Sequence, residues 1–419
     1  MKKFAEILAT GDEIRTGALV DGNSAWIAEK LEETGIQVSR HACVGDDLQQ
    51  LVSVFLEISR RTDVAVVTGG LGPTSDDLTA QAAAMAVGRQ TTLYPEALTA
   101  LENFFARRNR TMPTSNTKQA MLPEGAVMLD NPVGTAPGFS LHINTCLFFF
   151  LPGVPGEMKT MCRRSVLPAV QKFLGPRSGV MKTRTLSTFG LTESQAADAL
   201  QDFEQAFPSI KLGFRALFPE IQIKLYLSAD IQAELQALEQ QAVDWIKQKI
   251  GRSLISDTGA SLQVTIGELL RNQQATVSLA ESCTGGLVAH WLTSQAGSSD
   301  YFLLSAVTYA NRAKHEILGV PWEILQEQGA VSEAVALEMA RGVQRLAASD
   351  YSLSITGVAG PSGGTSAKPV GTVCFGLAGP ETLTARTKHF QFDNRKMNQI
   401  MSAAYSLNLL RKLLLTSED

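Results

Sequence analysis

Asp63-Val64-Ala65-Val66-Val67-Thr68-Gly69-Gly70-Leu71-Gly72-Pro73-Thr74-Ser75-Asp76-Asp77-Leu78-Thr79 is a short apolar run followed at once by glycines, hydroxyls and paired carboxylates. Residues 63–68 read as a strand buried on both faces, because small β-branched side chains continue without polar alternation. Glycine then lets the chain turn at the edge of a sheet. Thr74 and Ser75 are placed to cap the next helix, and one carboxylate near its start is explained by capping and the helix dipole. The pair Asp76 and Asp77 beside this loop also suits a hydrated Mg²⁺-type ion near a phosphate, a job for hard oxygen ligands. On local grounds capping and metal binding stand about even.

Working outward, residues 4–9 read as a strand, 23–33 as a helix, 37–43 as a strand and 48–60 as a helix. That βαβ alternation implies a parallel sheet covered by helices on both faces, with ligand loops at the carboxyl ends of its strands. Three further loops have the same glycine and hydroxyl character: Gly11-Asp12-Glu13, Asn131-Pro132-Val133-Gly134-Thr135 and Leu151-Pro152-Gly153-Val154-Pro155. Together they describe a pyrophosphate or pterin-phosphate site.

The sequence Leu174-Gly175-Pro176-Arg177-Ser178-Gly179 reads as a linker. A smaller α+β unit follows, with strands at 183–188, 210–214 and 221–227 and helices at 192–203 and 231–250. A second break falls near 256–260. Beyond it come a helix (261–272), a strand (275–280), a helix (285–294), a strand (303–309), further helices, strands at 351–356, 371–377 and 385–392, and a last helix at 396–415. No internal repeat relates the first and last thirds. The expected domains are therefore 1–168, 169–255 and 256–419, which suits a chain of 419 residues.

A formal net charge of -4 and the absence of a Lys/Arg block argue against nucleic acid as a partner. The five cysteines are scattered without a C-x-x-C pair, which excludes a disulfide framework and a thiolate zinc site and suits a reducing cytoplasm. The longest apolar run, near 147–151, is far short of the ~20 residues of a membrane span. A soluble cytoplasmic protein is expected.

The second chemical stretch is Glu281-Ser282-Cys283-Thr284-Gly285-Gly286, at a strand-to-helix junction. Such a junction exposes a side chain and offers backbone N–H groups from a first helical turn. Ser282 there can attack a carbonyl while those groups hold the oxyanion; alone, it is more often a helix cap. His290 and His315 have no partner in sight, so a histidine-based triad is poorly supported. Lys314, one turn into the helix after Val307-Thr308-Tyr309, can serve as base if desolvation lowers its pKa. Otherwise it is an ordinary solvated lysine. Cys283 is a rival nucleophile. The loop Thr356-Gly357-Val358-Ala359-Gly360-Pro361-Ser362-Gly363-Gly364 can wrap amides around a phosphate, and Arg395 can add a charge-assisted contact.

The ordered set Ala-Glu-Ser-Cys-Thr-Gly-Gly (280–286), Val-Thr-Tyr-x-Asn-x-x-Lys (307–314), Gly-Ala-Val-Ser-Glu (329–333), Gly-Val-Ala-Gly-Pro-x-Gly-Gly (357–364) and Lys-Pro-Val-Gly-Thr-Val (368–373) resembles the C-terminal domain of the CinA family. It departs from the family's usual spelling at Ser362, where Asp often stands. The resemblance implies an amidohydrolase converting nicotinamide mononucleotide to nicotinate mononucleotide and ammonia, in pyridine nucleotide salvage, with no cofactor. Carried over, Ser282 is the nucleophile, Tyr309 and Lys314 activate it, and Thr284, Gly285 and Gly286 lie at the oxyanion. Gly357, Gly360, Gly363, Gly364 and Arg395 lie near the ribotide phosphate.

Residues 3–165 are similar to the same family's N-terminal domain, which looks like the molybdopterin-binding MogA/MoeA type, an α/β three-layer parallel-sheet fold. The match runs through residues 11–13, 69–77, 115–120, 131–136 and 152–157. It implies ADP-ribose hydrolysis with a divalent metal such as Mg²⁺. Gly70, Gly72 and Thr74 would bind substrate, Asp77 would be catalytic, Asp76 and Asp77 would hold the metal, and Glu13 is a weaker candidate. The middle unit corresponds to a KH-like connector, here without a Gly-x-x-Gly loop. The resemblance also implies a homodimer. The alternative is a non-enzymatic molybdopterin- or nucleotide-binding protein.

Overall fold

A computed structural model of the chain describes residues 3–175, 180–229 and 231–416. Most of the linker expected at 174–179 lies outside the described residues. The chain divides into two compact units, Met1–Lys182 with Ala229–Gln232, and Thr183–Ser228 with Ala233–Asp419.

In the first unit a six-stranded sheet runs in the order Gln37–Val44, Phe4–Thr10, Val64–Thr68, Cys146–Leu151, Gly138–Ile143, Val127–Leu129. Strand Val64–Thr68 is buried throughout, and its alternation shows why. Ala65 and Val67 enter one core with Phe55, Ala82 and Phe148, whereas Val64 and Val66 enter another with Ile27, Leu31 and Met158. Successive side chains point to opposite faces of a strand. A strand covered on both faces therefore has no exposed position, and the one polar residue here, Thr68, satisfies its hydroxyl on the Pro152 carbonyl at 3.1 Å.

The first four strands are parallel. The other two add an antiparallel edge, which the βαβ pattern did not disclose. The turn between Ile143 and Cys146 is Asn144-Thr145 with Asn144 at φ 52, and it lacks the Asn-Gly pair that advertises a hairpin.

Gly69 follows the central strand at φ +115, where an added Cβ would lie 2.3 Å from the Thr10 carbonyl oxygen. Gly69→Ala is expected to destabilise this unit by about 3 kcal/mol, from left-handed strain plus overpacking. Denaturant unfolding checks this, and an unchanged midpoint would contradict it.

In the second unit, the connector has the strand order Lys211–Leu217, Glu220–Ala229, Val180–Phe189, Leu254–Ser256. Helix Gln232–Ile250 buries Leu235, Ala242, Val243 and Ile246. The single helix expected at 192–203 is two short ones, Glu193–Ala199 and Phe203–Ala206. The break lets Phe203 pack edge-on against Trp245 at 5.7 Å.

The C-terminal part is built on a five-stranded sheet, Phe302–Val307, Val277–Glu281, Tyr351–Gly357, Thr372–Ala378, Leu383–His389. Its first three strands are parallel and the last two antiparallel. Val277 and Leu279 join a core with helices Leu262–Asn272, Leu287–Thr293 and Arg395–Thr416. Ala280 joins another with helices Asn311–Leu318 and Glu333–Ala347. The helix after strand Val277–Glu281 thus leaves on one face, and the helix after strand Phe302–Val307 leaves on the other. That divergence is a topological switch point, where open α/β sheets leave a crevice for ligands.

No helix among the described residues is long and apolar enough to cross a membrane.

Candidate active site

At the switch point Ser282, in the turn after strand Val277–Glu281, meets Lys314, in helix Asn311–Leu318. Lys314 Nζ lies 3.1 Å from Ser282 Oγ and donates to the carbonyls of Thr308 at 2.8 Å and Tyr309 at 3.3 Å. Lys314 is 1% exposed and Ser282 7%. Burial pushes the Lys314 ammonium below its usual range, partly opposed by the Cys283 thiol. This burial is feasible because the amine's three contacts are all oxygens. A charged amine uses three N–H donors here. A neutral one donates to the two carbonyls and turns its lone pair to the serine.

Cys283 loses the rivalry with Ser282. It lies in the hydrophobic core at 4% exposure, and burial pushes its thiol up to about 12, with the Glu281 carboxylate adding to the rise. A thiol that stays protonated is a poor nucleophile.

The turn after Ser282 differs from the expectation in one respect. Glu281 is fully buried, and its carboxylate accepts from the amides of Gly286 at 3.0 Å, Val288 at 3.3 Å and Ala289 at 2.9 Å. Gly285 donates to the Ser282 carbonyl at 3.1 Å. The amides of Gly285 and Gly286 are therefore committed and cannot serve an oxyanion. Among the described residues, the amides of Cys283 and Thr284 donate to no backbone or side-chain oxygen, and the buried Thr284 hydroxyl also lacks a partner. Of the residues expected at an oxyanion, 284–286, the amides of Gly285 and Gly286 are thus engaged, and the amides of this turn left without an oxygen partner are those of Cys283 and Thr284. Glu281→Gln is expected to lower the stability of this unit by about 1–3 kcal/mol, because a neutral amide replaces charge-assisted caps and brings a donor against backbone N–H groups. An unchanged melting temperature would contradict this.

Tyr309 is also corrected. Its ring is 62% exposed, and its hydroxyl accepts from Arg395 at 2.9 Å. No hydrogen bond joins its hydroxyl to Ser282. It reaches the pair only through its backbone carbonyl on Lys314. Arg395 also donates to the Gly360 carbonyl at 2.7 Å, so it joins the tyrosine to the loop carrying Gly357, Gly360, Gly363 and Gly364. Residues 361–367 of that loop are exposed.

In the first unit the loops at the carboxyl ends of the parallel strands enclose a cleft of about 650 Å³, lined among others by Glu13, Asp46, Gly70, Gly72, Asp76 and Asp77. Burial, with the charges of Asp12, Glu13 and Asp76, holds the Asp46 carboxyl above its usual range against a hydrogen bond from the Asp12 amide. An acidic wall of this kind favours cations. Among the described residues, however, no three His, Cys, Asp or Glu side chains converge to hold a metal ion. Asp77 Oδ2 accepts from the Thr74 amide at 2.9 Å and its hydroxyl at 2.5 Å, and Lys118 donates to the Thr74 carbonyl. Asp76 and Asp77 are therefore not a direct ligand pair. Asp77 ties the turn to Thr74, and Asp76 is an exposed carboxylate. The expected capping is not found either: helix Thr79–Ala86 starts after Leu78 with no side-chain cap from Thr74, Ser75 or either carboxylate.

The family model for the CinA C-terminal domain matches residues 259–414, that for a probable molybdopterin binding domain residues 6–172, and that for the damage-inducible protein CinA KH domain residues 183–255. A CinA-like protein of Desulfosudis oleivorans is 47% identical over 412 residues, covering 98% of this chain and 100% of its own. The chain belongs to the CinA family. Another relative, a CinA-like protein of Geobacter metallireducens, is 42% identical over 98% of this chain and 99% of its own. The crystal structure of the competence/damage inducible protein CihA from Agrobacterium tumefaciens is 36% identical. It covers 36% of this chain and 93% of that one, at a TM-score of 0.36.

Within this CinA-family site, sequence reasoning missed three residues. Glu281 gives no sign of burial in sequence, because an acid at a strand's end reads as a surface residue. Asn398 donates to the carbonyls of Ala359 at 3.0 Å and Phe392 at 2.9 Å, and Gln399 donates to that of Cys283 at 2.8 Å. Their signal was available in the spacing from Arg395. Positions three and four residues on share its helix face.

Proposed function

We propose that the C-terminal domain hydrolyses the amide of nicotinamide mononucleotide to nicotinate mononucleotide and ammonia. The observation that carries this reading is the 3.1 Å approach of a buried lysine amine to a buried serine hydroxyl. Neutral Lys314 takes the Ser282 proton as Oγ bonds to the amide carbon. The carbonyl electron pair moves onto oxygen, facing the amides of Cys283 and Thr284. Collapse breaks the C–N bond, and Lys314 returns the proton to the leaving nitrogen as ammonia. Water then cleaves the ester with Lys314 as base again. Arg395, at the exposed edge of the 357–364 loop, is placed for the ribotide phosphate. This chemistry needs no cofactor.

For the N-terminal domain we propose hydrolysis of ADP-ribose at its diphosphate. The divalent cation would arrive with the diphosphate, and the acidic wall that includes Asp76 supports a place for its hydrated form. The fixed position of Asp77 within its own turn favours a second reading, a cleft that binds a molybdopterin or nucleotide without turnover.

A product assay on both substrates tests the two readings together, comparing wild type with Ser282→Ala and Asp77→Ala. Independent loss of each activity supports both. Wild-type protein that leaves ADP-ribose with Mg²⁺ intact while retaining a pterin would replace the N-terminal reading with the second one.

A further inference from the structure

Gln399 belongs to no motif that suggested the reaction, yet it holds the turn beside the nucleophile. The amides around Ser282 are assigned in order. Ser282 donates to the Ile355 carbonyl at 2.9 Å, Gly285 to Ser282 at 3.1 Å and Leu287 to Thr284 at 3.3 Å, and Gly286, Val288 and Ala289 donate to Glu281. Cys283 and Thr284 are left. Both residues are at least 96% buried, at 4% and 3% exposure. A buried amide without an acceptor is rare in a folded protein. The Thr284 amide has none, the Thr284 hydroxyl is orphaned too, and the Cys283 amide faces only its own thiol, so the turn is built to receive an oxygen from outside the chain.

The peptide joining Cys283 to Thr284 is trans and planar, so its C=O and its N–H point in opposite directions. Gln399 Nε2 donates to that C=O at 2.8 Å. Fixing the carbonyl from the side of helix Arg395–Thr416 therefore aims the Thr284 N–H away from that helix. The same hydrogen bond polarises the peptide and makes its N–H a stronger donor. The helix also carries Arg395, on the Gly360 carbonyl, and Asn398, on the Ala359 carbonyl. One helical turn thus registers the 357–364 loop against the serine turn.

We infer that Gln399 is a positioning residue for the oxyanion of the amide hydrolysis, acting through the Cys283–Thr284 peptide and never touching substrate. This rests on the amidase reading above. A freely rotating peptide could still bind substrate, since the ground-state carbonyl asks little of the N–H. The tetrahedral oxyanion requires it. The effect therefore falls on kcat.

The test is steady-state ammonia release from nicotinamide mononucleotide across a range of pH, for the wild type, Gln399→Leu and Gln399→Glu. Leucine removes the donor at similar volume, and ionised glutamate sets an acceptor against the carbonyl. Both variants are expected to lose kcat on the order of 10- to 100-fold, with KM changed less than about threefold, since small misplacements of catalytic groups cost this much. The pH at half-maximal rate should stay where the wild type has it, because Lys314 is untouched. Circular dichroism melting shows which variants are folded. If either folded variant keeps kcat within about threefold of wild type, the role of Gln399 is overturned. It is equally overturned if KM and the pH profile move together with kcat, which is the mark of a general disturbance. Wild-type protein that releases no ammonia overturns the amidase reading itself.

Discussion

Ser282→Ala is expected to lower ammonia release from nicotinamide mononucleotide at least about 1,000-fold, leaving ribotide affinity within a few-fold of wild type. The size follows from the chemistry. Without Oγ no ester forms, and the residual rate is that of oriented water beside the oxyanion donors, in line with losses on removing a nucleophile from other hydrolases. The fold should tolerate the change, because Ser282 Oγ has one partner, Lys314, and the backbone bond to Ile355 remains. Coupled ammonia detection checks the rate and calorimetry checks the binding. A variant retaining a tenth of the activity would remove Ser282 from the reaction.

Lys314→Met should match it, with a loss of about 1,000-fold or more, and it tests the base separately. Methionine fills the space but leaves the carbonyls of Thr308 and Tyr309 without their donor. The wild-type pH dependence is the more informative result. Because burial depresses the Lys314 pKa, the neutral base accumulates at a lower pH than for a lysine in water. The rate should therefore rise with pH through the folded-state pKa and level off below the ordinary 10.5. Stability runs in the same direction. Between the folded pKa and 10.5 the unfolded chain binds the extra proton, so this group's penalty is full below that window and is relieved as pH rises through it. Lys314→Arg keeps the charge at every accessible pH and should be as inactive as the methionine variant. If its activity approaches wild type, Lys314 is not the base.

The fold was largely legible because its decisive strands are the buried ones. Residues 63–68 could only be a central strand, because their apolar run has no other use. Residues 351–356 alternate serines with apolar residues and are nonetheless buried on both faces, because Ser352 and Ser354 donate to the carbonyls of Ala340 and Ala336. The antiparallel edge of the first sheet was not legible, since the Asn144-Thr145 turn carries no glycine. The site was half legible. Motif spacing placed Ser282 and Lys314 at neighbouring strand ends, and the structure brings them together at the switch point. Which amides remain for an oxyanion depends on Glu281, a contact eight residues long at its farthest, and on Gln399, 116 residues from the carbonyl it holds. No local pattern encodes the second. Tyr309 is expected beside Ser282, but sequence distance from Lys314 says nothing of where a side chain points. Its hydroxyl went to Arg395, 86 residues away. Asp76 and Asp77 show the reverse. Two adjacent carboxylates suggest a metal, but one already has its donors within three residues.

The central claim is that Ser282, with Lys314 as its base, carries the acyl group. Acid-quenching the protein within its first turnovers on nicotinamide mononucleotide, then mapping peptides by mass spectrometry, tests it directly. The account predicts a nicotinoyl-ribotide ester on the peptide containing Ser282, localised to that serine and missing in Lys314→Met. An adduct on Cys283, or turnover with no adduct on Ser282 at any quench time, would contradict it.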